Sequence, residues 1–179
     1  MKKKDRKVIY EGRIFSLFQE EWVDEEGKVF LRDVIIHPGA VGILAFAGRE
    51  EIVLLKQFRP AVNEYLWEIP AGLLDKSGED ILATAKRELK EETGYEALRW
   101  QKLASFYTTP GCSDETFYLY GAWELTQGEA QTEEGEDITK VGIFSVDEAL
   151  EMVKNGEIRD GKTLIAVFFA KILREDAAF

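Results

Sequence analysis

The sequence holds a single cysteine, Cys112, and a single histidine, His37, among 179 residues. No internal disulfide can form, and the usual Cys/His zinc cage lacks its ligands. No histidine lies near Cys112 in sequence to activate its thiol, so a cysteine nucleophile is not expected. Long apolar runs are also missing. The longest, residues 41–47 and 164–170, fall well short of the roughly 20 residues a membrane-spanning helix needs. The lysine-rich residues 2–7 run through Val8-Ile9-Tyr10 straight into Glu11-Gly12-Arg13, so no signal-peptide apolar region develops. Bases are in deficit, 23 against 34 acids, and the net charge of −11 with a pI near 4.7 argues against a surface built to neutralise many phosphates. The expectation is a soluble, cytoplasmic protein with neither nucleic acid nor membrane as a partner.

What is present suffices for one well-buried core and a small appendage, at 45% hydrophobic residues. Residues 7–23 and 28–37 are rich in β-branched and aromatic side chains and flank Asp24-Glu25-Glu26-Gly27, which predicts a hairpin. His37-Pro38-Gly39 then breaks the pattern. Residues 1–38 are therefore read as a β-strand appendage and 39–179 as the main domain. In the latter, strands are expected at 41–47, 52–58, 65–70, 101–107, 116–123 and 141–146. Helices are expected at 80–93, 147–154 and 163–174. Gly94 would stop the first helix, with Ser77 as a possible start of a capping box. Helices alternate too rarely with strands for a doubly wound parallel sheet, so the fold class is α+β, an α/β/α sandwich around a mixed sheet. The acid-rich stretch 124–137, which lacks lysine and arginine, reads as a loop.

The most informative segment is Arg87-Glu88-Leu89-Lys90-Glu91-Glu92-Thr93-Gly94. On a helix its three glutamates fall at i, i+3 and i+4 and share a face. At about 100° per residue that face borders and partly overlaps the apolar one, while Lys86, Lys90 and Arg87 take the side toward water. A solvated charged face is the commoner meaning of a Glu-rich helix. Here, however, half-withdrawn carboxylates about 5 to 6 Å apart would repel by a few kcal/mol per pair at an effective dielectric near 20. Arg87 can neutralise one of them. A hard divalent cation can satisfy several oxygens at once, and this geometry favours the cation.

With these residues in view, the chain resembles the Nudix hydrolases, whose signature is matched by Gly72, Glu79, Arg87, Glu88, Leu89, Glu91, Glu92 and Gly94. It departs at two points: six residues rather than five separate Gly72 from Glu79, and Tyr95 replaces the final aliphatic. Pro110, sixteen residues after Gly94, resembles the marker of the ADP-ribose pyrophosphatase branch. So do Gln57-Phe58-Arg59-Pro60, Trp67-Glu68-Ile69-Pro70-Ala71-Gly72 and Glu133-Glu134-Gly135-Glu136-Asp137-Ile138.

The resemblance implies hydrolysis of the diphosphate of ADP-ribose to AMP and ribose 5-phosphate. The alternatives are another nucleoside diphosphate sugar, such as ADP-glucose or GDP-mannose, or a nucleotide-sensing module without turnover. It implies Mg²⁺, with Mn²⁺ or another divalent cation as alternatives, held by Glu88, Glu92, Glu136 and the backbone carbonyl of Ala71. Glu91 would bind or orient a metal-bound water, and Arg87 would fix a signature glutamate. Glu134 is the candidate general base, with Glu91 as its rival. Arg59 and, from the appendage, Arg32 are candidate substrate contacts, and the N-terminal strands would mediate a homodimer. Glu68 reads as a strand glutamate at a sheet edge, and Phe15, Trp22 and Phe30 are as readily core as base-stacking residues.

Overall fold

The computed structural model describes residues 1–74, 79–130 and 137–175. At the N-terminus, β1 (Lys2–Glu11), β2 (Ser16–Val23) and β3 (Val29–Ile36) form an antiparallel sheet of their own. The turn after β2 is the expected one: Gly27 N–H donates to Asp24 O, and Asp24 Oδ1 accepts from Glu26 N–H and Lys28 N–H. Residues 7–23, however, are two strands rather than one. Gly12 N–H donates to Phe15 O and turns the chain between them. Ile14 and Phe15 are apolar but exposed, which made the turn look like strand.

The remaining strands are β4 (Ala40–Ala45), β5 (Glu51–Arg59), β6 (Glu64–Glu68), β7 (Ala71–Leu73), β8 (Tyr95–Tyr107), β9 (Thr116–Gln127) and β10 (Ile138–Ser145). They form two sheets, ordered β7-β4-β9-β8 and β10-β5-β6. The first is mixed: β4 runs parallel to β9, with Ala40 opposite Phe117, and antiparallel to β7. Although β4 and β5 are neighbours in sequence, they lie in different sheets, with a single bridge between Phe46 and Ile52 at the turn that joins them. Every residue of β4 is buried because both faces are covered. Val41, Ile43 and Ala45 pack toward α1 (Ile81–Thr93) with Ala85 and Leu89. On the other face Leu44 belongs to a cluster with Val146, Ala149 and Met152 of α2 (Val146–Lys154) and Ala166, Val167 and Ala170 of α3 (Gly161–Glu175). The result is the expected α/β/α layering.

Two local differences bear on the acidic segments. Glu124 to Gln127 extend β9 rather than opening a loop. The start of α1 is set by Asp80, whose side chain accepts from Leu82 N–H, while Ser77 lies outside the described residues. Gly94 ends α1 as expected, at φ 76°, with its N–H donating to Lys90 O. No helix among the described residues is long and apolar enough to cross a membrane.

Candidate active site

Three elements converge on residues 69–73. Ile43 N–H of β4 donates to Pro70 O at 2.8 Å, Ala71 N–H donates to Glu92 Oε2 of α1 at 2.9 Å, and Ile69 N–H donates to Thr163 Oγ1 of α3 at 3.0 Å. The backbone at Ala71 is thus held from both layers. Glu92 is 2% exposed and Glu88 7%, so the carboxylate face of α1 is turned inward, as its overlap with the apolar stripe predicts. Gly72 makes this possible. A Cβ built there would lie 2.0 Å from Glu88 Cδ and 2.1 Å from its Oε1, so only glycine lets the carboxylate rest on this strand.

Arg87 reaches round the helix rather than toward water. Its Nη1 donates to Glu91 Oε2 at 2.6 Å and lies 2.8 Å from Glu88 Oε1, while Nε and Nη2 donate to the two oxygens of Glu79, each at 3.3 Å. Burial opposes its charge, but the bonds to Glu79 and Glu91 and the nearby Glu88 carry its pKa above the ordinary arginine value. Thr84 Oγ1–H donates to Glu79 at 3.1 Å and orients this clamp. The clamping role of Glu79 was not read from the sequence, because a helical projection stops at the cap and Glu79 precedes it.

A cleft of about 490 Å³ opens over Ala71 and Gly72 and is also lined by Arg59, Thr108, Glu115, Asp160 and Lys162. Arg59, at the end of β5, bonds the buried Glu68 through Nε and Nη2, both at 2.7 Å. This bond, against the burial that opposes it, raises the pKa of Arg59. Glu68 does end an edge strand, but it is 1% exposed and works as the arginine's anchor. Arg32 lies on the exposed β3, donating to Leu31 O, and is not among the cleft-lining residues. Phe15 is exposed, while Trp22 and Phe30 are half-buried in the N-terminal sheet. That sheet is tied to the cleft's rim, since Ile35 N–H donates to Cys112 O, Asp114 N–H to Ile35 O and His37 N–H to Asp114 Oδ1. A second cavity, about 470 Å³ and lined by Phe46, Arg99, Trp123 and Arg174, shares no lining residue with the first.

Glu133, Glu134 and Glu136 lie outside the described residues. Asp137, which follows them, is anchored beside Arg59: Phe58 N–H donates to its backbone oxygen at 3.0 Å and Tyr65 Oη–H to its Oδ2 at 2.7 Å. Among the described residues no three Asp, Glu, His or Cys side chains converge closely enough to hold a metal. Glu88 and Glu92 nevertheless supply hard oxygen donors against the Ala71–Gly72 backbone, a donor type suited to Mg²⁺ or a similar cation.

The sequence profile of the NUDIX domain matches residues 36–166, most of the chain. The chain belongs to the NUDIX family. This NUDIX protein is 38% identical over 168 residues to an ADP-ribose pyrophosphatase of Bacillus subtilis (strain 168), spanning 93% of this chain and 90% of that one. It is 39% identical over 166 residues to a methanol dehydrogenase activator of Bacillus methanolicus, spanning 92% and 89%. A crystal structure of an ADP compounds hydrolase shares the NUDIX fold described here, with a TM-score of 0.87 over 99% of this chain and 95% of that one at 17% identity. Nudix hydrolases generally use divalent cations, in keeping with the donor set at Glu88 and Glu92.

Proposed function

We infer that this protein is a Mg²⁺-dependent hydrolase that cleaves the diphosphate of ADP-ribose, yielding AMP and ribose 5-phosphate. The observation that carries the reading is the pair of inward-turned carboxylates, Glu88 and Glu92, set against the Ala71–Gly72 backbone, which lines a cleft that Arg59 also lines. The B. subtilis relative supports the choice of ADP-ribose.

Glu88, Glu92, Glu136 and the Ala71 carbonyl would hold the cation, which offsets the substrate's charge and makes a bound water more acidic. Glu134 takes the proton from the attacking water as its oxygen bonds to one phosphorus. The bond from that phosphorus to the bridging oxygen breaks, and the leaving phosphate departs with the bridging oxygen. Glu91 orients the water, and Arg87 positions Glu91 and Glu88 through the contacts at 2.6 and 2.8 Å. Arg59, held by Glu68, faces the substrate's negative charge, and a second copy of the chain, docked through residues 1–38, brings Arg32 toward it. A cytoplasmic setting suits a nucleoside diphosphate sugar as substrate.

A panel of ADP-ribose, ADP-glucose and GDP-mannose at equal concentration, compared by kcat/KM, tests the substrate. ADP-ribose is expected to lead by at least about tenfold, which is about 1.4 kcal/mol of differential transition-state binding. A lead by either rival keeps the chemistry and replaces the substrate. The activator relative favours a second reading, a nucleotide-responsive regulator. Binding of ADP-ribose with no product formed from any member of the panel would put that reading first.

A further inference from the structure

The cleft is lined by charges of both signs. Among them is Glu115, whose Oε2 accepts from Thr108 Oγ1–H and whose Oε1 lies 3.7 Å from His37 Nδ1. Arg59 and Lys162 also line it and share an anchor. Glu68 Oε2 is 2.7 Å from Arg59 Nη2 and 3.9 Å from Lys162 Nζ. Lys162 is fixed mainly by Asp160, at 2.5 Å. Asp160 is tied to the fold independently, because its Oδ2 accepts from Thr163 N–H at 2.9 Å and Thr163 Oγ1–H at 2.7 Å. Thr163 Oγ1 in turn accepts from Ile69 N–H, two residues before Ala71. The ammonium is therefore positioned relative to the carboxylate site through a continuous set of hydrogen bonds.

We propose that Lys162 is a substrate-binding residue that grips a phosphate of the substrate beside Arg59. This rests on the reading of the site as a diphosphate hydrolase. A polyanion in the cleft is repelled by Glu115 and Asp160 and drawn to Arg59 and Lys162, the two cations that flank one oxygen of the buried Glu68. A lysine ammonium carries three donors, and among the described residues only Asp160 is an acid within hydrogen-bond distance of it. On Arg59, Nε and Nη2 bond Glu68, and Nη1 donates to no described residue. Both side chains therefore keep donors for phosphate oxygens while their partners hold them still.

The test compares Lys162→Gln, which keeps a donor for Asp160 and removes the charge, with Lys162→Arg, which restores the charge. Steady-state kinetics on ADP-ribose with Mg²⁺ should show KM raised about tenfold in K162Q, kcat changed less than about threefold and KM largely recovered in K162R. In parallel, inorganic pyrophosphate is titrated calorimetrically into wild type and K162Q, with adenosine as an uncharged control. K162Q is expected to bind pyrophosphate at least about fivefold more weakly and adenosine equally well. Equal pyrophosphate affinity in the two proteins, including no measurable affinity in either, overturns the assignment. Loss of pyrophosphate affinity in K162Q combined with an inert wild type keeps Lys162 as a phosphate site and refutes the ADP-ribose reading instead.

Discussion

Replacing Gly72 by alanine should separate activity from stability. The added Cβ would sit 2.0 Å from Glu88 Cδ, 2.1 Å from Oε1 and 2.4 Å from Cγ. Reaching an ordinary contact of about 3.5 Å requires the carboxylate to retreat by roughly 1.5 Å. The intruded atoms are the far end of a flexible side chain, so the fold can accommodate them by a rotamer change costing about 1 kcal/mol. That corresponds to a fall in Tm of about 2 to 4 °C for a chain of this size. The chemistry cannot accommodate the same shift. A Mg²⁺–oxygen bond is about 2.1 Å with a demanding octahedral geometry, and misplacing a catalytic group by about 1 Å can remove on the order of 100-fold in rate. Gly72→Ala should therefore lose at least about 100-fold in kcat/KM on ADP-ribose and need more Mg²⁺ for half-maximal rate, while its thermal melt stays cooperative. Activity within about threefold of wild type at an unchanged Mg²⁺ requirement would refute the reasoning, because Glu88 would then hold no cation from the position it occupies.

Arg87→Lys keeps the charge but loses the planar fork that spans Glu79 and Glu91, so kcat should fall by about 10- to 100-fold with KM nearly unchanged. Steady-state kinetics checks this, and a change confined to KM would contradict it. Gly94→Ala forces a side chain onto a residue at φ 76° and brings its Cβ within 2.9 Å of Ala130 N and Gly128 O, which should destabilise the protein by about 1 to 2 kcal/mol in urea unfolding while sparing kcat. Burial works to raise the pKa of Asp160, but Lys162 and the Thr163 bonds outweigh it and hold the carboxyl below its ordinary 3.8. A depressed folded-state pKa contributes stability that is complete above the unfolded value and is lost as pH falls through the folded one. The stability gap between wild type and Asp160→Asn should thus be constant from pH 7 to about 5 and close below about 4. Urea titrations across that range measure it, and a gap that widens on acidification would contradict the sign.

Much of the site was legible because its signals are local. Glutamates at i, i+3 and i+4 before Gly94 define a helix and a face, and the overlap of that face with Leu89 and Ala85 already implied the burial found at Glu88 and Glu92. The hairpin around Asp24 and Gly27 is equally local. The run 41–47 reads as a strand, and β4 covers residues 40–45. What escaped depends on contacts distant in sequence. Nothing near Ala40 signals that it pairs with Phe117 rather than with the next strand. The turn at residues 12–15 was masked by exposed Ile14 and Phe15. Asp160 and Lys162 reach the cleft only because α3 packs back against Ile69, a contact spanning 94 residues. Arg87 projects to the watery side of α1 on a helical wheel, yet its long stem returns it to Glu79 and Glu91.

The central claim is that inward-turned carboxylates on α1 support cation-dependent cleavage of a diphosphate. It is tested most directly by incubating the pure protein with ADP-ribose and Mg²⁺, with and without a chelator, and quantifying AMP chromatographically over time. The account predicts AMP and ribose 5-phosphate in equal amounts, abolished by the chelator and restored by excess Mg²⁺. AMP formation that persists at full rate in the chelator would contradict it.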